Sequence, residues 1–288
     1  GNVAIAMPRG SGKTTLVECD VIRDALYGFR RFIPLLQAND KLSAKSLKKI
    51  KKELETNKAL AEDFPEVIYP ILKLERIHNR ANGQTYKGEP TRIEWTAEGI
   101  TLPTIAGSKA SGTQIMVSGI EGAVRGLSMV GPNGEIIRPD KVIIDDAQTR
   151  ATAKSPTQTA DREAIICDDV LGCAGPGVRM AAIMLCTVIY PGDLSDRFLS
   201  HDRHPEWQGL RTKMLNTFPT DMKLWDEYSE VRRESLRSGD GGKRANAFYR
   251  KHRKAMDAGA EISWKQRFKS DEVSAIQSAM NLFYENPR

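Results

Sequence analysis

The sequence predicts an α/β fold in which a mostly parallel central sheet is flanked by helices on both faces. Three observations carry that expectation. Short apolar runs without polar alternation recur at Val3–Ala6, Phe32–Leu36, Val142–Ile144 and Met180–Cys186, as strands buried on both faces require. Segments of helical period lie between them. The first apolar run also passes straight into a glycine-bearing turn and a helical segment.

Taken in order, Thr14–Tyr27 places Leu16, Val17, Val21, Ala25 and Leu26 on one side of a helix that Gly28 ends. Leu42–Phe64 is again helical, with Leu47, Ile50, Leu54 and Leu60 as its apolar stripe. Lys45, Lys48, Lys49, Lys51 and Lys52 face outward there, and a solvated helix surface is preferred to a DNA-gripping face. Residues 79–120 read as strands and turns (NGQTYKGEPTRIEW, TQIMVSG), and GPNGE, Gly131–Glu135, as a turn between short strands. Asp161–Leu171 reads as a helix. From Trp207 to Phe268 the pattern turns mostly helical and rich in Arg and Lys, broken by SGDGGK, Ser238–Lys243. A core over residues 1–204 and a small helical subdomain over 205–288 are expected.

The bulk numbers are those of an ordinary globular chain: 288 residues, 40% hydrophobic, 28% charged, mean hydropathy −0.43. No apolar run approaches the ~18 residues of a bilayer span, and no secretory leader is visible, so no membrane partner is expected. Cys19, Cys167, Cys173 and Cys186 are scattered without a C-x-x-C pair, which reads as reduced thiols in a cytosolic setting. A net charge of +6 and a pI near 9.1 admit a polyanionic partner without requiring one. His78, His201, His204 and His252 lack ligand spacing and read as surface or structural residues. Trp95, Trp207, Trp225 and Trp264 read as packing residues.

Three segments carry chemistry. MPRGSGKTT, Met7–Thr15, fits the phosphate-loop pattern G-x-x-x-x-G-K-[ST] except that Met7 stands where glycine is usual. A strand, a glycine turn and a helix start gather backbone N–H groups around an anion, so Pro8, Arg9, Gly10, Ser11, Gly12, Lys13, Thr14 and Thr15 are candidate nucleotide-binding residues. Lys13 would reach the β- and γ-phosphates of ATP, and Thr14 would ligate Mg²⁺. RPDKVIIDD, Arg138–Asp146, is an apolar strand delivering two carboxylates. Asp145 would hold Mg²⁺ through water, and Asp146 would orient or deprotonate the attacking water. AAIMLCTVIYPGDL, Ala181–Leu194, ends a buried strand at Thr187, whose hydroxyl could sense the γ-phosphate.

In this order the elements resemble the large terminase subunit of tailed bacteriophages, the ATPase that drives DNA into the capsid. PRGSGKT is similar to its phosphate loop, which often departs at the first glycine and carries an internal arginine. LETNKALAEDFPEV (Leu54–Val67) resembles the segment after its second strand, and GAVRGL (Gly122–Leu127) its arginine-glycine segment. CTVIYPGDL resembles its coupling motif, while ISWKQRF and MNLFYENP resemble the helical stretch leading toward a nuclease domain. The resemblance implies a P-loop NTPase of the additional-strand type, acting as the ATPase of a viral DNA-packaging motor. It implies double-stranded DNA, a portal protein and a small terminase subunit as partners. It also implies a homo-oligomeric ring, with a monomeric isolated fragment as the alternative.

Arg9 is a catalytic candidate, since an arginine that neutralises charge in phosphoryl transfer is worth ~10³ or more in rate. Arg125 by resemblance presents an arginine to a neighbouring subunit, although GPNGE sets it further from Asp145 than usual. An adenine-contacting segment and an RNase H-like nuclease are expected to lie outside this chain, so nuclease activity is not expected. The setting implied is the cytoplasm of an infected bacterial host, transiently at the procapsid. Hydrolysis felt through Thr187 would move the part after residue 205 and shift a salt-sensitive grip on duplex phosphates. The sequence departs from the family at Asp146, where most relatives have glutamate. A helicase-like nucleic-acid-stimulated ATPase and a catalytically weak nucleotide-binding scaffold are the rival readings.

Overall fold

The computed structural model describes residues 1–122, 127–131, 134–175, 177 and 179–285. β1 (Asn2–Ala6) leads into α1 (Lys13–Leu26), β2 (Phe32–Gln37), α2 (Asp40–Thr56), α3 (Lys58–Asp63) and α4 (Pro65–Leu72). A hairpin of β3 (Thr85–Tyr86) and β4 (Glu89–Pro90) precedes β5 (Glu94–Trp95), β6 (Gly99–Thr101) and β7 (Gln114–Gly119). A second hairpin, β8 (Met129–Val130) with β9 (Ile136–Ile137), precedes β10 (Lys141–Asp145). α5 (Arg150–Ala153), α6 (Pro156–Ala164), β11 (Ala181–Cys186), α7 (Leu194–Phe198) and β12 (Trp207–Arg211) follow.

Eight strands form one sheet in the order β12-β1-β11-β10-β2-β7-β6-β5. Every pair from β12 to β7 is parallel, and only β6 and β5 run antiparallel to their neighbours. The result is a mostly parallel central sheet flanked by helices. Successive strand residues face opposite ways, so β10 feeds two apolar layers. Ile143 packs with Val17, Val21, Leu47, Ile50 and Ile68 of α1, α2 and α4. Val142 and Ile144 pack on the other face with Ala4, Met184, Phe198 and Trp207.

Several element boundaries differ from expectation. α1 buries Val17, Val21, Ala25 and Leu26 but leaves Leu16 exposed. Gly28 ends it at φ +66°, and a Cβ there would stand 2.2 Å from the Lys109 carbonyl oxygen, so only glycine fits. The single helix expected over Leu42–Phe64 is two helices. Asn57 turns extended between them, and its side chain accepts from the Ala59 N–H at 3.0 Å, capping α3. The helix expected at Asp161–Leu171 begins at Pro156 and widens into a π turn over Ile165–Val170.

Trp207–Arg211 pairs in parallel with β1, so the sheet-bearing unit runs through Arg211, beyond the boundary expected at residue 204. The second unit starts at Thr212. It contains β13 (Leu215–Thr217), α8 (Met222–Arg237), α9 (Lys243–Met256), β14 (Glu261–Ile262) and α10 (Ala275–Glu285). Trp225, Tyr228, Tyr249, Met256 and Met280 fill its core, where Trp225 Nε1 donates to the Met256 carbonyl at 2.7 Å. Gln277 Nε2 donates to the Tyr228 hydroxyl at 2.8 Å and to Asn246 Oδ1 at 2.7 Å, so these buried polar groups are satisfied. ISWKQRF is not the helical stretch expected: Glu261–Ile262 is a strand, turns follow, and Trp264 is exposed, unlike the other three tryptophans. Among the described residues no helix is long and apolar enough to cross a membrane.

Candidate nucleotide site

At the carboxyl end of β1, the Met7 N–H donates to the Cys186 carbonyl at 3.0 Å, which carries the sheet pairing one residue into the loop. Gly10 (φ +76°) and Gly12 (φ +79°) then take left-handed conformations. Met7 is not among the residues of positive φ, so its position does not demand glycine. The Ser11 N–H and hydroxyl both fold back onto the Pro8 carbonyl, at 3.3 and 2.7 Å. Gly12 is the N-cap of α1; it offers no side-chain cap, and the first turn holds no acidic residue. The leading N–H groups of α1 are therefore unclaimed by a cap at the positive end of the helix dipole, which suits an anion.

Lys13 is buried, and its ammonium donates to the Met7 carbonyl at 3.2 Å. The Thr14 hydroxyl donates to Asp145 Oδ2 at 3.1 Å, and Gln37 Nε2 donates to the same oxygen at 2.7 Å. Asp145 is 1% exposed, and among the described residues neither its Oδ1 nor Gln37 Oε1 has a hydrogen-bond partner. Burial and then the charge of Asp146 push the Asp145 carboxyl up to about 6, against the pull of Thr14, Gln37 and Lys13. This carboxylate is short of positive charge. Its unmet oxygen beside the Thr14 hydroxyl makes an all-oxygen donor set that fits Mg²⁺, which usually takes one or two carboxylates plus substrate phosphates. Among the described residues no cluster of three His, Cys, Asp or Glu could hold a metal by itself.

α1 and β10 are joined at both ends. Lys141, buried at the start of β10, pairs with Asp20 and Asp24 of α1, the latter at 2.5 Å. From Asp24 back to Thr14 a helix rises ~15 Å, and from Lys141 to Asp145 a strand advances ~13 Å. The two clasps are therefore in register. Asp146 follows at φ +41°, with its N–H donating to the Leu185 carbonyl at 2.9 Å. Aspartate tolerates this region better than most side chains, and such backbone gathers at functional sites.

Thr187 follows β11, the strand between β1 and β10. Its hydroxyl is buried with no hydrogen-bond partner among the described residues. Asp193 ties the loop beyond it, accepting from the N–H groups of Ile189 at 2.6 Å, Tyr190 at 3.1 Å and Asp196 at 2.9 Å. Gln148 then bridges elements: Oε1 accepts from the Leu194 N–H at 2.7 Å, and Nε2 donates to Thr159 at 2.9 Å. The loop after Thr187 is thereby joined to the segment after Asp146.

The structure thus brings Pro8–Thr15, Asp145, Asp146 and Thr187 to the carboxyl ends of three neighbouring parallel strands. Arg9 is exposed in the loop, and Thr15 is exposed on α1. Arg125 lies outside the described residues, as do Pro132 and Asn133 of the expected GPNGE turn. Sequence reasoning missed Gln37, Gln148, Asp193 and the Lys141 clasp. A polar residue closing the apolar run FIPLLQ was the available signal for Gln37.

No protein-family model matches the sequence, and no curated protein matches it. Among solved structures, the chain is similar to the large terminase ATPase domain of Thermus phage P74-26, at 12% sequence identity and a TM-score of 0.44, over 81% of this chain and 81% of that one. An arginine-to-alanine mutant of the same domain matches at the same identity and TM-score, over 81% of this chain and 82% of that chain.

Proposed function

We infer that this chain is an ATP-hydrolysing domain of the phage large-terminase kind, coupling hydrolysis to the movement of double-stranded DNA into a capsid. The observation that carries the reading is the hydrogen bond from Thr14 to Asp145, which joins the glycine loop after β1 to the acidic end of β10 across the interposed strand β11. That strand order supports the additional-strand class of P-loop NTPases. The order PRGSGKT, RPDKVIIDD, CTVIYPGDL along the chain supports the terminase assignment within that class. A homo-oligomeric ring, a portal protein and a small terminase subunit belong to the same proposal.

Residues 8–15 bind the phosphates through backbone N–H groups and Lys13, whose ammonium exchanges the Met7 carbonyl for a phosphate oxygen. Thr14 and Asp145 would hold Mg²⁺, which when bound would supply neutralising charge to the terminal phosphates. Asp146 orients the attacking water and accepts its proton as the water oxygen bonds to the terminal phosphorus and the bridging oxygen leaves with the diphosphate. Arg9 balances charge on the phosphoryl group in transfer. The unpartnered Thr187 hydroxyl supports a role in reporting the terminal phosphate to the loop that Asp193 ties.

Phosphate release from ATP, followed against protein concentration with and without duplex DNA, tests the reading. Mg²⁺-dependent hydrolysis that duplex stimulates and Lys13→Ala abolishes is expected. Turnover indifferent to Lys13 refutes the site. Separation of a forked duplex would put a helicase in its place, and ATP binding without turnover would leave a scaffold.

A further inference from the structure

α9 concentrates the positive charge of the second unit. Its sequence KRANAFYRKHRKAM holds six Lys or Arg and no Asp or Glu, as large an excess as the net +6 of the whole chain. Ala245, Tyr249 and Met256 define its buried face. On the opposite side Lys243, Arg250 and Lys254 fall at helical spacing with Lys251 beside them, and all four are exposed. Arg244 and Arg253 are held by Asp240 and Asp257, at 2.9 and 3.3 Å. Among the described residues the other four have no ion-pair partner. α2 repeats the spacing at Lys41, Lys45, Lys48 and Lys52, but it also carries Asp40, Glu53 and Glu55. Its Lys49 and Lys51 are engaged by Glu18 and the Trp95 ring.

We propose that this face of α9 binds the phosphates of double-stranded DNA through Lys243, Arg250, Lys251 and Lys254. The inference rests on the reading of the chain as a DNA-moving ATPase. Three physical points select a duplex. The stripe extends ~16 Å along a rigid helix, about five steps of a duplex whose strands advance ~3.4 Å per phosphate. The apolar face of α9 is consumed by its own core, so the helix cannot enter a membrane interface as a free amphipathic helix does. Ala247 is the surface residue between the cations, so no aromatic platform for unstacked bases accompanies them. Such contacts position a duplex without reading its sequence.

The test is anisotropy of a labelled random-sequence duplex against salt, using the full chain. The variant Lys243→Gln, Arg250→Gln, Lys251→Gln, Lys254→Gln is expected to flatten the log–log salt slope by up to about 3.6, which is roughly a hundredfold less loss of affinity between about 50 and 200 mM salt. Lys→Arg at 243, 251 and 254 retains binding and exposes any folding defect in the Gln variant. Lys13-dependent ATP hydrolysis without DNA stays at the parental level. A parental chain with no ATP hydrolysis would sink the functional reading. An ATPase whose duplex binding survives the Gln variant unchanged would sink this inference alone. Loss confined to a Lys41, Lys45, Lys48 and Lys52→Gln variant would also overturn it, as would tighter binding to anionic vesicles or single strands.

Discussion

Replacing Asp145 by asparagine should stabilise the protein while silencing it. The carboxyl sits at about 6 instead of its ordinary 3.8, because burial and Asp146 disfavour its charge more than Thr14, Gln37 and Lys13 favour it. A raised carboxyl means that the folded chain binds the proton more tightly than the unfolded chain, so stability falls as pH rises between those two values. Two pK units correspond to about 3 kcal/mol at neutral pH, halved near pH 5 and about 0.5 kcal/mol near pH 4. Asparagine does not titrate, and it can pair with the Gln37 oxygen that lacks a partner. For a unit of this size about 3 kcal/mol is roughly 6–12 °C in melting temperature. Scanning calorimetry of parent and Asp145→Asn in EDTA from pH 4 to 8 should show the variant ahead at pH 7.5 and the gap closing toward pH 4. Mg²⁺ and nucleotide at a thousandfold excess over Kd should reverse the order by stabilising the parent alone, by about 4.1 kcal/mol. A variant less stable than the parent at pH 7.5, or a gap independent of pH, refutes the reasoning.

Asp146→Asn should lower kcat by about 10²–10⁴ with little change in ATP affinity, read from single-turnover kinetics beside nucleotide titration. Gln37→Leu removes one of the two donors to Asp145 Oδ2. With subsaturating Mg²⁺, the acid limb of its kcat/KM profile should therefore move above the pH near 6 at which Asp145 loses its charge. Glu163 is buried, which would raise its pKa, but hydrogen bonds from Arg203, His204 and Arg197 outweigh this and hold it at about 2. Glu163→Gln removes the charge that the Arg197 and Arg203 guanidiniums meet and should cost about 2 kcal/mol at neutral pH by denaturant unfolding. Because the folded value is depressed, the deficit should shrink as pH falls from 4.5 toward 2.

The parallel strands were legible because burial on both faces leaves an uninterrupted apolar run, and the loop because its glycines serve backbone geometry that few other residues permit. β12 was not legible for the opposite reason. It is an edge strand with only Trp207 buried, so WQGLR shows neither a run nor an alternation, and the boundary was drawn too early. Strand order is a matter of long-range pairing, and nothing within AAIMLC says that it lies between β1 and β10. Asn57 looked like one polar residue inside a periodic stretch, yet its side chain caps a second helix. Lys141 opens a strand, and a lysine in such a place is ordinarily solvated. Asp20 and Asp24, one helical turn apart on α1, were the sign that a buried cation had to meet them.

The candidate site is where the fold leaves its own chemistry unfinished. Six buried side-chain atoms lack a hydrogen-bond partner among the described residues, and three of them are Asp145 Oδ1, Gln37 Oε1 and the Thr187 hydroxyl. These belong to the carboxyl ends of β10, β2 and β11, which are adjacent in the sheet. A buried polar group left unmet costs about 1–3 kcal/mol, so three side by side are a standing strain on the core. Core packing on both faces and the Lys141 clasp on α1 offset that strain and keep the three groups in place, and under the proposed function a magnesium nucleotide and its attacking water would satisfy them. The free energy withheld from folding then becomes available to binding. Changes that quiet these atoms should therefore raise stability and lower turnover together, whereas changes in the clasp should lower both.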